Sequence, residues 1–176
     1  MRLNDNPVRA IRIAANVGLW GTLFFAMLTI AEYYLAEYVW ENVITTNDYT
    51  HRLLLYGGLI VVVLYIATVL LTIRRQIPRV RQLDAVEERL DRYKGMVQLI
   101  YFIGLIVSII VCSVVIITRE NALLMLLLLH FTTLAMCFPN MYKIKVDCGL
   151  NDQDMRDLFG ESYISDDRGG TENEEQ

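Results

Sequence analysis

The chain has 176 residues, 55% of them hydrophobic, with a mean hydropathy of +0.36 and a formal net charge of −4. Its charged residues are kept out of long apolar runs, which excludes an ordinary soluble domain, because helices facing water need a polar stripe. Net acidity, with charges of both signs alternating in the most basic stretch, excludes a nucleic-acid-binding protein.

Four segments, Ile13 to Ala31, Leu53 to Ile73, Gly95 to Thr118 and Asn121 to Tyr142, contain no Asp, Glu, Lys or Arg. A hydrocarbon core about 30 Å thick needs about 20 residues at about 1.5 Å each, and these runs meet it. The expected fold is an all-α integral membrane protein with four transmembrane helices arranged as two hairpins. The spans fall at about 13–34, 53–73, 95–118 and 121–142 within a domain of residues 1–145.

The lead before the first span carries Arg2, Arg9 and Arg12, with Asn6 as a helix cap and Pro7 at the first helical position. The apolar run behind it, at 19 residues, exceeds the about 7 to 15 of a cleaved signal, so it reads as a span. Along it Ala14, Gly18, Thr22 and Ala26 recur every four positions, a small-residue face for close helix packing, within the chain or between copies.

At the outer end of this span stand Glu32, Tyr33, Tyr34, Glu37, Tyr38, Trp40 and Glu41. The aromatics suit the headgroup zone, and Glu37 and Glu41, four apart, share a helix face toward water. Two readings compete for Glu32, the carboxylate nearest the apolar run. It is a cation or proton ligand beside His51, Arg52 or Arg119, or a boundary carboxylate that is solvated or paired with Arg52. Thr45, Thr46, Asn47 and Asp48 supply the polar tip of the connection to the second span.

The second span has Gly57 and Gly58 near its outer end and is followed by the bridge, residues 74–94. Arg74, Arg75, Arg79 and Arg81 open the bridge as a lipid-facing cluster that attracts anionic headgroups, and Pro78 is expected to break the helix. Leu83, Val86, Leu90, Tyr93 and Val97 then recur at three- and four-residue steps, so a cytoplasmic helix with one apolar seam runs into the third span. Glu88 and Arg92 are spaced for an ion pair. The seam faces a partner chain or this chain's own tail.

The third span repeats the small-residue spacing with Gly104, Ser108 and Cys112. In the fourth, His130 falls near the bilayer midplane, where it either relays a proton or satisfies itself against Thr132, Thr133 or a serine of the third span. A lone histidine does not make a metal site, and the three cysteines, Cys112, Cys137 and Cys148, lie at depths that oppose pairing. No cofactor is implied, and the absence of a nucleophile–base motif or phosphate loop argues against an enzyme.

From Val146 the composition turns acidic, with ten carboxylates against Arg156 and Arg168. Residues 146–164 read as a short amphipathic segment with Asn151 as cap, Met155, Leu158 and Phe159 on its apolar side and Gly160 at its end. Residues 165–176 read as a disordered acidic tail. The tail helix is expected to dock on the bridge seam.

Twelve Lys and Arg flank the inner ends of the spans and two, Arg52 and Arg119, the outer ends. This bias places both termini and the bridge in the cytoplasm, in a plasma or inner membrane. The expected function is a non-catalytic scaffold or accessory subunit, homo-oligomeric or in a larger membrane complex. The alternative is an oligomeric transporter or channel using Glu32 and His130.

Overall fold

The computed structural model describes residues 7–39 and 47–159, and the described chain is helical throughout. Its elements are α1 (Pro7–Val39), α2 (Asp48–Arg81), α3 (Val86–Thr118), α4 (Asn121–Met136), α5 (Met141–Cys148) and α6 (Asp152–Phe159). Helices α1, α2 and α3 are each long and apolar enough to cross a membrane, and α4 with α5 makes a fourth when the bent pair is counted as one. Asn6, Trp40, Glu41, Thr45, Thr46, Gly160, the tail beyond it and the side chains of Glu37 and Tyr38 lie outside what is described.

Close approaches fix the helix directions. Gly18 lies against Tyr101 and Gly21 against Leu105, so α1 and α3 run the same way. Gly58 lies against Val114 while Tyr65 meets Gly104, so α2 runs opposite to α3; Tyr101 reaches Leu134 and Ser108 reaches His130, so α4 does too. Helix α3 is the axis of the bundle. Half of its most apolar stretch is buried inside the chain, against 22% for α1 and for α2. Trp20, Phe24, Leu64, Phe102 and Leu128 point outward and exposed, as side chains solvated by lipid do.

Three breaks differ from the sequence expectation. Helix α2 passes through Pro78 and stops at Arg81, because a proline in the last turn removes only one bond, that to the Arg74 carbonyl, before the helix ends. Leu83 lies in the turn that follows rather than on the bridge helix, which starts at Val86; the Leu83 carbonyl accepts from Arg89 Nε. The fourth apolar run is not one helix to Tyr142. Pro139 lacks an N–H and keeps Phe138 out of helical geometry, so α4 stops at Met136 and α5 leaves at 70°. Asn140 restarts the chain by capping α5, its Oδ1 accepting from the Lys143 N–H at 2.7 Å.

Candidate functional site

A polar junction lies at mid-height of the bundle, where α1, α3 and α4 meet. Glycine makes it reachable: a Cβ at Gly18 would stand 2.7 Å from Tyr101 Cβ, and one at Gly104 would stand 2.8 Å from Leu134 Cδ2 and from Tyr65 Oη. With the backbones that close, short side chains span the gap. Thr22, Ser108 and His130 are all fully buried. His130 Nε2 is 3.0 Å from the Gly104 carbonyl and 2.9 Å from Ser108 Oγ. Ser108 Oγ is 3.1 Å from Thr22 Oγ1 and 2.8 Å from the Gly104 carbonyl, and Thr22 donates to the Gly18 carbonyl at 2.9 Å.

The partners settle the tautomer. A carbonyl only accepts, so Nε2 carries the proton and Nδ1 carries the lone pair. Nδ1 is buried and without a partner among the described residues. An imidazolium here would need an acceptor at Nδ1 that these residues do not supply. Following the bonds outward, the network ends on the Gly18 and Gly104 carbonyls, which accept protons in hydrogen bonds but do not pass them on. Aromatic residues close the sides: Tyr65 meets the imidazole edge-on at 4.7 Å and donates to the Ile100 carbonyl at 3.3 Å, while Tyr101 donates to the Leu134 carbonyl at 2.9 Å. Thr132 and Thr133 bond only to carbonyls of their own helix, so of the partners expected for His130 it is the serine of α3 that binds it.

At the far end, opposite the bridge, none of the residues expected beside Glu32 forms an ion pair with it among the described residues. His51 pairs with Glu120 at 3.0 Å, Tyr33 donates to the Arg119 carbonyl at 3.2 Å, and Arg52 is exposed. Glu32 Oε2 is buried without a hydrogen-bond partner. Thr22 sits at the depth of His130, and Glu32 is ten residues further along α1, about 15 Å at the helical rise. The two candidate groups are therefore not in contact. Arg119 ends α3 in the left-handed region at φ 54, its N–H held by the Val115 carbonyl at 2.8 Å, which lets two residues turn the chain into α4.

At the bridge end the seam is covered by this chain. Leu90, Tyr93 and Val97 are buried, and Val86 packs on the same core. Tyr93 donates to Asp147 Oδ2 at 3.1 Å, and Arg89 Nη1 donates to the Gly149 carbonyl at 3.1 Å. Gly149, at φ 62, ends α5 against the Arg81 side chain. Asp147 is buried in an α5 that carries Lys143 and Lys145, outside the apolar run of α4. Burial raises its carboxyl above the usual range, opposed by the Tyr93 hydrogen bond and by the charges of Lys143 and Arg81. Burial, followed by the Asp147 charge, pushes the Cys148 thiol up to about 12.

Helix α6 opens with a reciprocal cap, Asn151 Oδ1 accepting from the Asp154 N–H at 2.7 Å and Asp154 Oδ2 from the Asn151 N–H at 3.0 Å. Lys145 pairs with Asp152. Met155 is fully buried, Leu158 and Phe159 are partly so, and Arg12 of α1 lies over the Phe159 ring at 5.7 Å. The segment that meets the bridge is thus the α5–α6 turn, on Arg81 and Arg89, while the ring of α6 turns to α1. The expected Glu88–Arg92 pair does not form among the described residues; the ion pair on that helix is Lys94 with Asp91 at 3.7 Å. Arg74, Arg75 and Arg79 are exposed.

Of the packing residues, Gly18, Thr22, Gly104, Ser108 and Cys112 are buried and Ala14 and Ala26 are half-buried. The face of α1 that repeats every four residues is occupied by α3 of the same chain at Gly18 and Thr22. Sequence reasoning missed Tyr65, Glu120, Asp147 and Arg89. No family model matches the sequence, and neither the curated proteins nor the solved structures contain a match.

Proposed function

We propose that the protein is a non-catalytic scaffold or accessory subunit of a membrane assembly, with its bridge end and both termini in the cytoplasm of a plasma or inner membrane. The observation that carries this reading is the mid-bundle junction. Thr22, Ser108 and His130, the polar side chains a transport path would draw on at that depth, are bonded to one another and to carbonyls of the same chain. A proton or ion relay instead needs groups that exchange partners along a path. The outward apolar faces of α1 and α2 are left for lipid, further copies or a larger complex, and exposed Arg74 and Arg75 for anionic headgroups.

One observation favours the transporter alternative: the buried, unpartnered oxygen of Glu32. A single experiment separates them. The full chain is isolated in mild detergent, the intact assembly weighed, and the same preparation tested for cation and proton flux in liposomes. A retained partner or several copies without flux is expected. Flux that disappears with Glu32→Gln or His130→Ala overturns the scaffold reading.

A further inference from the structure

Between the end of α2 and the start of α3 lies an open cleft of about 960 Å³, within the range of about 300–1,000 Å³ typical of small-molecule sites. Its lining is sorted along its length. Thr72, Gly95, Met96 and Leu99 form the part toward the bundle, with the charged Arg79, Arg92, Glu87, Glu88 and Asp91 and the apolar Leu83 at the bridge end and Gln76 between. From Leu99 to Glu87 this gradient runs twelve residues of α3, about 18 Å of helix. One end suits an acyl chain and the other a polar head.

Two details define that head. Arg79 and Arg92 form no ion pair among the described residues, and neither do Glu87 and Glu88, so charges of both signs face the cleft uncommitted while Asp91 is held by Lys94. Gln76 Oε1 is buried on the cleft wall with no donor. Guanidinium groups bind a phosphodiester, carboxylates bind an ammonium group, and an unsatisfied amide oxygen accepts from an N–H or O–H. We propose that this cleft binds a zwitterionic glycerophospholipid with a primary ammonium group, phosphatidylethanolamine being the simplest. Its phosphate lies at Arg79 and Arg92, its ammonium at Glu87, Glu88 and Gln76 Oε1, and one acyl chain along Met96 and Leu99.

The chemistry discriminates between common lipids. Phosphatidylcholine has the same charges but no N–H for Gln76. Phosphatidylglycerol brings a phosphate without a cation, and leaves Glu87 and Glu88 facing a net negative ligand. Gly95 supplies a clean obstruction, because a side chain added there meets nothing within 4 Å and so fills open space without pressing on the fold.

The inference rests on the membrane placement of the bridge end in the scaffold reading. The test reconstitutes the full chain in nanodiscs of equal parts phosphatidylethanolamine, phosphatidylcholine and phosphatidylglycerol, releases it gently, and counts retained lipids by native mass spectrometry. Expected is one phosphatidylethanolamine per chain, at least fivefold over either competitor. Retention should fall at least tenfold in Arg79→Ala/Arg92→Ala and in Gly95→Trp, and the preference should move toward phosphatidylglycerol in Glu87→Gln/Glu88→Gln. Equal retention of the three lipids, a preference for either competitor, or unchanged retention in Arg79→Ala/Arg92→Ala overturns the proposal. Such a failure in chains that enter nanodiscs and keep their assembly mass leaves the scaffold reading intact. Retained phosphatidylethanolamine together with ion flux would instead overturn only the scaffold reading.

Discussion

The mid-bundle junction and the bridge end both tie distant parts of the chain together, and they do it with different chemistry. At mid-height the ties are neutral, a hydroxyl on a hydroxyl and an imidazole N–H on a carbonyl, reached because Gly18 and Gly104 let backbones close. At the bridge end the ties are charged, with Arg89 on the Gly149 carbonyl, Lys145 on Asp152 and Arg12 over Phe159. The difference follows from the surroundings, since a charge in a water-poor interior carries a desolvation cost that a neutral hydrogen bond largely avoids. Shape should therefore dominate stability in the middle of the bundle, and pH and salt should act at its bridge end.

The largest effect expected from this comparison is steric. Gly18→Val puts a Cβ where Tyr101 Cβ stands 2.7 Å away, and neither helix can yield without moving the backbone. Overpacking of this kind costs about 1–3 kcal/mol and at times more, and the upper end applies because the obstructing atom is a Cβ rather than a flexible tip. The variant should lose its monodisperse form in detergent or melt well below the parent. Gly57→Val is the control, because nothing lies within 4 Å of that position and α2 has room for a side chain there. Equal melting of the two variants would mean that α1 and α3 are not clamped at Gly18.

A middle-sized effect separates packing from hydrogen bonding at His130. His130→Ala removes a buried ring as well as its bonds, and the cavity left behind should set a cost of about 2–4 kcal/mol. His130→Phe keeps the ring and its edge contact with Tyr65 but loses both hydrogen bonds. Interhelical hydrogen bonds within bilayers average about 0.6 kcal/mol and reach about 1.7, so Phe should cost distinctly less than Ala. Chemical unfolding in mixed micelles measures both. A Phe variant as damaged as the Ala variant would show that the polar contacts outweigh shape, contrary to the comparison.

How much of this was legible in the sequence depends on range. Apolar run length gave the helices because it is a local property, and spacing by four gave the close-packing faces of α1 and α3 at Gly18, Thr22, Gly104 and Ser108. The seam through Leu90, Tyr93 and Val97 was legible as an apolar face, but not what covers it, since that depends on where α5 returns. Tyr65, Asp147 and Arg89 carry no local pattern. Each acquires its role from a residue 35, 54 or 60 positions away. The Pro139 break was visible as a residue but not as a 70° turn, because Asn140 could restart a helix only once the chain had left the first axis. Glu32 was singled out with His51, Arg52 and Arg119 by shared depth, yet depth does not fix azimuth, and His51 meets Glu120 instead.

The smallest predicted effect tests the charged half of the comparison. Asp147 is buried beside Tyr93, and its carboxyl is raised by that burial more than the Tyr93 hydrogen bond, Lys143 and Arg81 lower it. A carboxyl raised on folding binds its proton more tightly in the folded chain, so its contribution to stability is fullest below the unfolded value and is lost as pH rises through the folded one. Above the unfolded value the folded chain therefore disfavours the ionised form of this carboxyl. Asp147→Asn keeps an oxygen to accept from Tyr93 and removes the charge, and it should raise the melting temperature at pH 7 by a few degrees, with the gain shrinking as pH falls toward the unfolded value. Melting curves of parent and variant from acid to neutral pH give the result. A variant less stable than the parent at pH 7 would mean that Arg81 and Lys143 hold the Asp147 charge more strongly than burial opposes it, and the bridge end would then be an ion-paired junction in its own right rather than a tolerated one.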